Sequence, residues 1–220
     1  PDFVPVYEKK KLNNTVLDEI CGRYRINNNE LIKVYEKNNI LYSKELGMEP
    51  TELIQISDSI YVSRNVQQLI HFNPKSTNMT MEIIDIHNGN IISNYIKMKD
   101  EDKISIEHLL DGDFEKGLSA YKSIMKNNPK NPDIHEYTLN VIGYDFLSRK
   151  RMKLALDIFK VNTILYPNSF NVYDSLAEAY EINEDFDKAM KNYTKARELS
   201  TDKNYHSNVD KKIKKLSESN

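Results

Sequence analysis

A pattern recurs in the second half of the chain, and it limits the folds open to that half more than any other feature. Asp113-Phe114-Glu115-Lys116-Gly117 with Tyr121 returns as Asp185-Phe186-Asp187-Lys188-Ala189 with Tyr193. A middle copy, built on Met152, Ala155 and Phe159, fills the interval. Ala155 to Ala189 and Phe159 to Tyr193 are 34 residues apart, whereas Gly117 to Ala155 and Tyr121 to Phe159 are 38, the excess lying around 130–133. Leu139, Ile142, Gly143 and Phe146 match Tyr173, Leu176, Ala177 and Tyr180 at the same 34-residue step, and Pro129 and Pro167 close the first two units. A fixed period of this length marks stacked supersecondary units, none of which buries its apolar face alone. From Ile104 onward the apolar spacing has the 3.6-residue period of helices.

The first half reads differently. Strand-like runs rich in Ile, Val, Tyr and Phe occur at 23–26, 31–36, 40–44, 52–56, 60–63, 69–72, 79–86 and 91–98, as β-structure prefers. Turn residues separate them, and Asn88-Gly89 between Ile86 and Ile91 predicts a type I′ hairpin, since both residues accept positive φ. Eight short strands in succession imply an antiparallel meander, enough to close a small barrel. Thr15 and Asp18 have capping-box spacing for a short helix ending at Gly22, and residues 1–14 read as a linker. The fold class expected is α+β: a small antiparallel β-barrel-like domain over 15–100, then an all-α repeat domain over 101–220. Ser207 and Asp210, again at capping-box spacing, predict a terminal helix that caps the open end.

Small residues at helix crossings, aromatics beside them and a closing proline at a 34-residue period resemble tetratricopeptide (TPR) repeats, here in three units of which the first has a degenerate opening helix. Leu17-Asp18-Glu19-Ile20-Cys21-Gly22-Arg23-Tyr24, followed by Leu31-Ile32-Lys33-Val34-Tyr35 and Asn39-Ile40-Leu41-Tyr42, resembles the opening of a small lipocalin-like domain. That domain commonly follows serine hydrolases of the β-lactamase and penicillin-binding type. The resemblance implies that Pro1 lies just after such a catalytic domain, and that the protein works in a bacterial periplasm or at the cell surface.

Chemistry of that hydrolase type needs Ser-x-x-Lys, Tyr-x-Asn and Lys- or His-x-Gly. Ser119-Ala120-Tyr121-Lys122, Ser123-Ile124-Met125-Lys126, Tyr166-Pro167-Asn168 and His87-Asn88-Gly89 have these spacings. A structural reading explains each better: Tyr121 and Ile124 hold repeat packing positions, Pro167 ends a unit, Asn88-Gly89 is a turn, and the order along the chain is wrong. The chain is therefore expected to have no catalytic residues of its own and no cofactor. Five scattered histidines, with His71 and His87 the pair most able to meet, predict no metal site. The lone Cys21 rules out an internal disulfide and reads as a small buried side chain. Six unclustered glycines form no phosphate loop. A net charge of −2 argues against nucleic-acid binding by bulk charge, and no apolar run approaches the ~18 residues of a membrane span.

What remains is the concave face formed by the first helix of each pair. The TPR resemblance places Tyr137, Asn140, Tyr144 and Leu147 there in the second unit, and Asn171, Asp174, Glu178 and Glu181 in the third. From Asn168 to Asp187 there are six acids and no Lys or Arg. Such a face suits an extended protein or peptide segment with basic or polar side chains, or the chain's own upstream catalytic domain; a solvated helix face is the plain alternative. The function expected is a non-catalytic interaction or positioning module. The competing reading is a small-molecule-binding lipocalin-like barrel with a structural helical arm, although so short a barrel is expected to fill with side chains.

Overall fold

The computed structural model describes residues 14–63, 68–74 and 78–218, and the chain divides into two compact units between Lys103 and Ile104. The stretch expected as a linker lies outside the described residues except for Asn14, which already belongs to helix α1 (Asn14–Ile20).

In the first unit, β1 (Gly22–Arg25), β2 (Leu31–Lys37), β3 (Ile40–Glu45), β4 (Thr51–Gln55), β5 (Ile60–Ser63), β6 (Gln68–Asn73), β7 (Thr80–Asp85) and β8 (Ile91–Lys97) pair in sequence order as a closed antiparallel barrel. Closure is made by Tyr24 opposite Lys97 and Arg25 opposite Ile96. Alternation sends Tyr24, Leu41, Leu53, Tyr61, Ile70, Phe72 and Met81 inward as one buried cluster, with Val16 and Leu17 of α1 packed against it. The Phe72 ring sits 5.7 Å from Tyr24 and 5.4 Å from Tyr61, centroid to centroid. The Gly22-Arg23-Tyr24 motif has separate structural tasks. The Tyr24 hydroxyl donates to the Ile20 carbonyl at 2.7 Å, anchoring the end of α1. Arg23 donates to the carbonyls of Lys99, Asp100 and Asp102 at 2.7, 2.8 and 2.5 Å, binding the segment that leaves the barrel after β8.

The Asn88-Gly89 expectation needs correction. Gly89 alone has positive φ there (70°), and the Asp85 amide bonds the Asn90 carbonyl at 2.9 Å around a longer loop. The Asp85 carboxylate is the cause: it accepts the His87 amide at 2.7 Å and the Asn88 side-chain amide at 3.2 Å, a side-chain-closed turn that leaves only the glycine left-handed. The paired positive φ of a type I′ turn occurs instead at Asn38 and Asn39 (57° and 59°), joining β2 to β3. Cys21 is only half-buried, and burial raises its thiol pKa.

In the second unit, α2 (Ser105–Leu110) and α3 (Phe114–Asn127), α4 (Glu136–Ser148) and α5 (Met152–Leu165), and α6 (Phe170–Ile182) and α7 (Phe186–Leu199) form three antiparallel hairpins, followed by α8 (Lys203–Glu218). A single 3-10 turn, Pro132–Ile134, occupies the 38-residue step. This is a TPR-like array, so the whole chain is α+β. Each hairpin turns on a left-handed residue, Gly112, Lys150 or Glu184. The next amide reaches back five residues each time: Asp113 to the His108 carbonyl at 2.9 Å, Arg151 to Phe146 at 2.8 Å, Asp185 to Tyr180 at 2.9 Å. A Cβ on Gly143 would lie 2.5 Å from the buried Phe159 ring, so the α4–α5 crossing requires glycine. Helix α8 starts earlier than expected: the Asp202 carboxylate accepts the Asn204 amide at 2.8 Å, so Asp202 rather than Ser207 caps it.

Candidate functional site

Helices α4, α6 and α8 are the first members of successive units, and a 34-residue step brings their side chains into register. On α4, Asn140 donates to Ser175 Oγ of α6 at 2.9 Å. The Tyr144 hydroxyl donates to Glu178 Oε2 at 2.6 Å and stands 3.2 Å from Ser175 Oγ. At the start of α4, Glu136 accepts from Asn171 at 3.1 Å and from Ser169 at 2.9 Å. Beneath them the fully buried Asn162 of α5 donates to the Glu136 carbonyl at 3.0 Å, fixing the first turn of α4.

The row continues onto α8. Tyr205 donates to Asp174 Oδ1 at 2.7 Å, with its ring 4.9 Å from that of Phe170. Lys212 donates to Glu178 Oε1 at 3.0 Å and to the Tyr193 hydroxyl at 3.2 Å, with its ammonium 4.8 Å from the centre of the Tyr193 ring. Tyr193 in turn donates to Glu181 Oε2 at 2.7 Å. Burial raises the Asp174 carboxyl above its ordinary value, opposed by the Tyr205 hydrogen bond and reinforced by Glu178. Burial, then hydrogen bonding to a carboxylate, raises the hydroxyls of Tyr144, Tyr193 and Tyr205, so all three stay protonated donors at neutral pH.

Of the residues expected on this face, Asn140, Tyr144, Asn171, Asp174, Glu178 and Glu181 thus enter one row of hydrogen-bonded groups, and Tyr137 stands 78% exposed at its margin. The acids are not a bare wall: Tyr205, Lys212 and Tyr193 meet three of them. The sequence carried the signal, since Tyr205 lies 34 residues after Asn171 and Lys212 lies 34 after Glu178.

The hydrolase-like spacings fall on separate elements. Ser119, Lys122, Ser123 and Lys126 lie on α3 around the buried Tyr121, Tyr166 donates to the Ile134 carbonyl at 2.9 Å, and His87 belongs to the β7–β8 turn. His71 Nδ1 lies 2.9 Å from Glu82 Oε2, directly across the β6–β7 pair. Among the described residues, no group of three or more His, Cys, Asp or Glu side chains is placed to hold a metal ion, and no helix is long and apolar enough to cross a membrane.

No family model matches the chain. DnaJ homolog subfamily C member 3 of Bos taurus is 28% identical over 121 residues, which is 52% of this chain and 23% of that protein, so the chain spans less than a quarter of the curated relative. Among solved structures, MamA is 21% identical at a TM-score of 0.35, covering 54% of this chain and 65% of its own. The first TPR of Spaghetti (RPAP3), bound to an HSP90 peptide, is 14% identical at a TM-score of 0.36, with 52% and 86% covered. PcrH, in complex with the chaperone binding region of PopD, is 12% identical at 0.37, with 52% and 86% covered.

Proposed function

We propose that this chain is a protein-interaction module whose binding face is the α4–α6–α8 row, with Tyr137, Asn140, Tyr144, Asn171, Asp174, Glu178 and Glu181 contacting the partner. The observation that carries the reading is the network itself: polar side chains from three consecutive first helices are held in fixed rotamers by one another, so they meet an incoming segment already ordered. The network counts four carboxylates, Glu136, Asp174, Glu178 and Glu181, against the one ammonium of Lys212. A segment with lysine, arginine or amide side chains complements that balance. The first TPR of Spaghetti (RPAP3) holds an HSP90 peptide and PcrH the chaperone binding region of PopD; for this chain the ligand class is part of the proposal.

Selection of a random peptide library against the protein tests it. Expected is an enriched set whose binding falls at least tenfold in Asn171→Lys, an exposed change on the row. Enriched peptides that bind the variant equally, or no enrichment, overturn the assignment.

The finer part of the proposal is that the chain serves a serine β-lactamase-like hydrolase of the same polypeptide, supported by the Gly22-Arg23-Tyr24 opening. The mass of the native protein, captured from its source by antibody, decides this. A species larger than 25.7 kDa by a catalytic domain is expected, and one near 25.7 kDa overturns it.

One observation favours a second reading, the ligand-holding barrel. The Tyr61 hydroxyl is fully buried in the barrel cluster with no hydrogen-bond partner among the described residues, a cost that a small bound acceptor would offset. Mass spectrometry of the native and the denatured protein would reveal such a molecule, and identical masses would exclude it.

A further inference from the structure

The three first helices present the same face at 34-residue steps, and one copy of that face is uncovered. The triplet on α8 is Tyr205, Val209 and Lys212; on α6 it is Asn171, Ser175 and Glu178; on α4 it is Tyr137, Val141 and Tyr144. Each of the later triplets is covered by the preceding first helix. Tyr205 and Lys212 bond Asp174 and Glu178 of α6, and Asn171 and Ser175 accept or donate to Glu136, Asn140 and Tyr144 of α4. The middle residues record the result, with Val209 1% and Ser175 2% exposed against 48% for Val141, which stands beside Tyr137 at 78%.

The cause lies in α2. It has six residues where α4 and α6 have 13. The residues before Ser105 that would supply its first turns instead follow the barrel, where Arg23 holds the carbonyls of Lys99, Asp100 and Asp102. Nothing among the second unit's described residues replaces the missing turns, and the side chains left open are more apolar than their α6 counterparts: tyrosine, valine and tyrosine stand where α6 has asparagine, serine and glutamate.

We infer that α4 docks an amphipathic α-helix from a partner protein, which takes the place of the missing turns of α2 and covers Tyr137 and Val141. The occupant is a helix because the same face, twice more in this array, is covered by one; the new contact continues an interface already present. Its contacting side chains recur every fourth residue, as Glu136, Asn140 and Tyr144 do where α4 covers α6. They are apolar, to match Val141 and the tyrosine rings. Helix α4 carries Glu136 and Asp145 and no lysine or arginine, so flanking lysines suit the occupant better than flanking glutamates.

This site rests on the proposed function and extends its face along α4 beyond Tyr137, which both readings use; it is tested through Val141, which takes no part in the polar row. The probe is a synthetic alanine–lysine helix with leucine at every fourth position, beside a control with serine in place of leucine. Fluorescence anisotropy reads binding, and ultracentrifugation reads self-association. The leucine helix is expected to bind the wild type, at least tenfold more weakly to Val141→Asp and several-fold more weakly to the milder Val141→Ser, with Asn171→Lys unaffected. Failure of the leucine helix to bind, equal binding of the serine control, or equal binding to both Val141 variants overturns the inference. So does a wild-type dimer that Val141→Asp dissociates, because the occupant would then be a second copy of this chain. Circular dichroism of both variants should show unchanged helix content, since Val141 lies half in solvent.

Discussion

The barrel and the helical array bury their apolar residues by opposite means. In the barrel, every strand needs two neighbours, and the last bond of the ring joins residues about as far apart as the unit allows: Tyr24 faces Lys97. Its interior is one cluster in which each residue has a unique setting. In the array, the same contacts are made repeatedly between near neighbours, and Tyr121, Phe159 and Tyr193 are buried in equivalent places. A closed sheet is therefore sensitive everywhere and offers little surface for variation, whereas an array can keep its packing and change its exposed faces unit by unit. Exposed chemistry can therefore vary more freely on the array than on the barrel.

The largest effect expected is in the barrel. Phe72→Ala removes the ring between Tyr24 and Tyr61 and should cost about 3–5 kcal/mol. In urea monitored by far-ultraviolet circular dichroism, the β signal should be lost early while the helical signal unfolds as in the wild type; a shared shift of both would show that the two units stand or fall together. Gly143→Ala is the counterpart in the array, forcing a methyl group against Phe159, and should cost about 1–3 kcal/mol. If the array behaves as stacked units, hydrogen exchange should accelerate most in α4 and α5 and least in α8; uniform acceleration would contradict local coupling.

A smaller effect separates structure from recognition. Burial raises the Asp174 pKa in the fold above its unfolded value, so the carboxylate's ionisation costs stability once pH exceeds the ordinary carboxylate range. Asp174→Asn should thus raise Tm at pH 7, and the gain should vanish below about pH 4, where the wild type is protonated too. A lower Tm at pH 7 would mean that the Tyr205 bond needs the charge. Smallest is Lys150→Gly at a left-handed turn, expected to stabilise by about 0.5 kcal/mol, because glycine avoids the Cβ penalty but loses more backbone entropy. The same change at Gly112's other counterpart, Glu184, should match it if the turns are equivalent.

Much of this was legible in the sequence because both architectures are periodic. Eight strand runs at two-residue alternation and helices at a 34-residue step appear close to where they were expected, and Gly143 and Ala155 mark the α4–α5 crossing. Two of the misses share one origin, polar side chains competing for backbone groups. Asp85 rebuilt the Asn88-Gly89 turn and Asp202 took the α8 cap, because each offered a carboxylate nearer to the free amides than the residue expected. The polar row was half legible. Its α4 and α6 residues follow from the repeat, but the repeat marks Tyr193 only as a packing position, and Tyr205 lies before the helix expected from Ser207, so neither it nor Lys212 stands out in the sequence as a partner of the acids.

By itself, the sequence determined the units: which residues alternate, which recur after 34 positions, and so a β-barrel followed by stacked hairpins. Period is a local property and survives in one dimension. Only the tertiary structure decided which copy of the repeated face is covered. Val141, Ser175 and Val209 stand at equal steps along the chain, yet burial depends on whether a neighbouring helix is long enough to reach them, and α2 is not. Likewise the charge of Glu178 could be read from its letter, whereas its pairing with Lys212 and Tyr144 arises only where three helices are brought side by side.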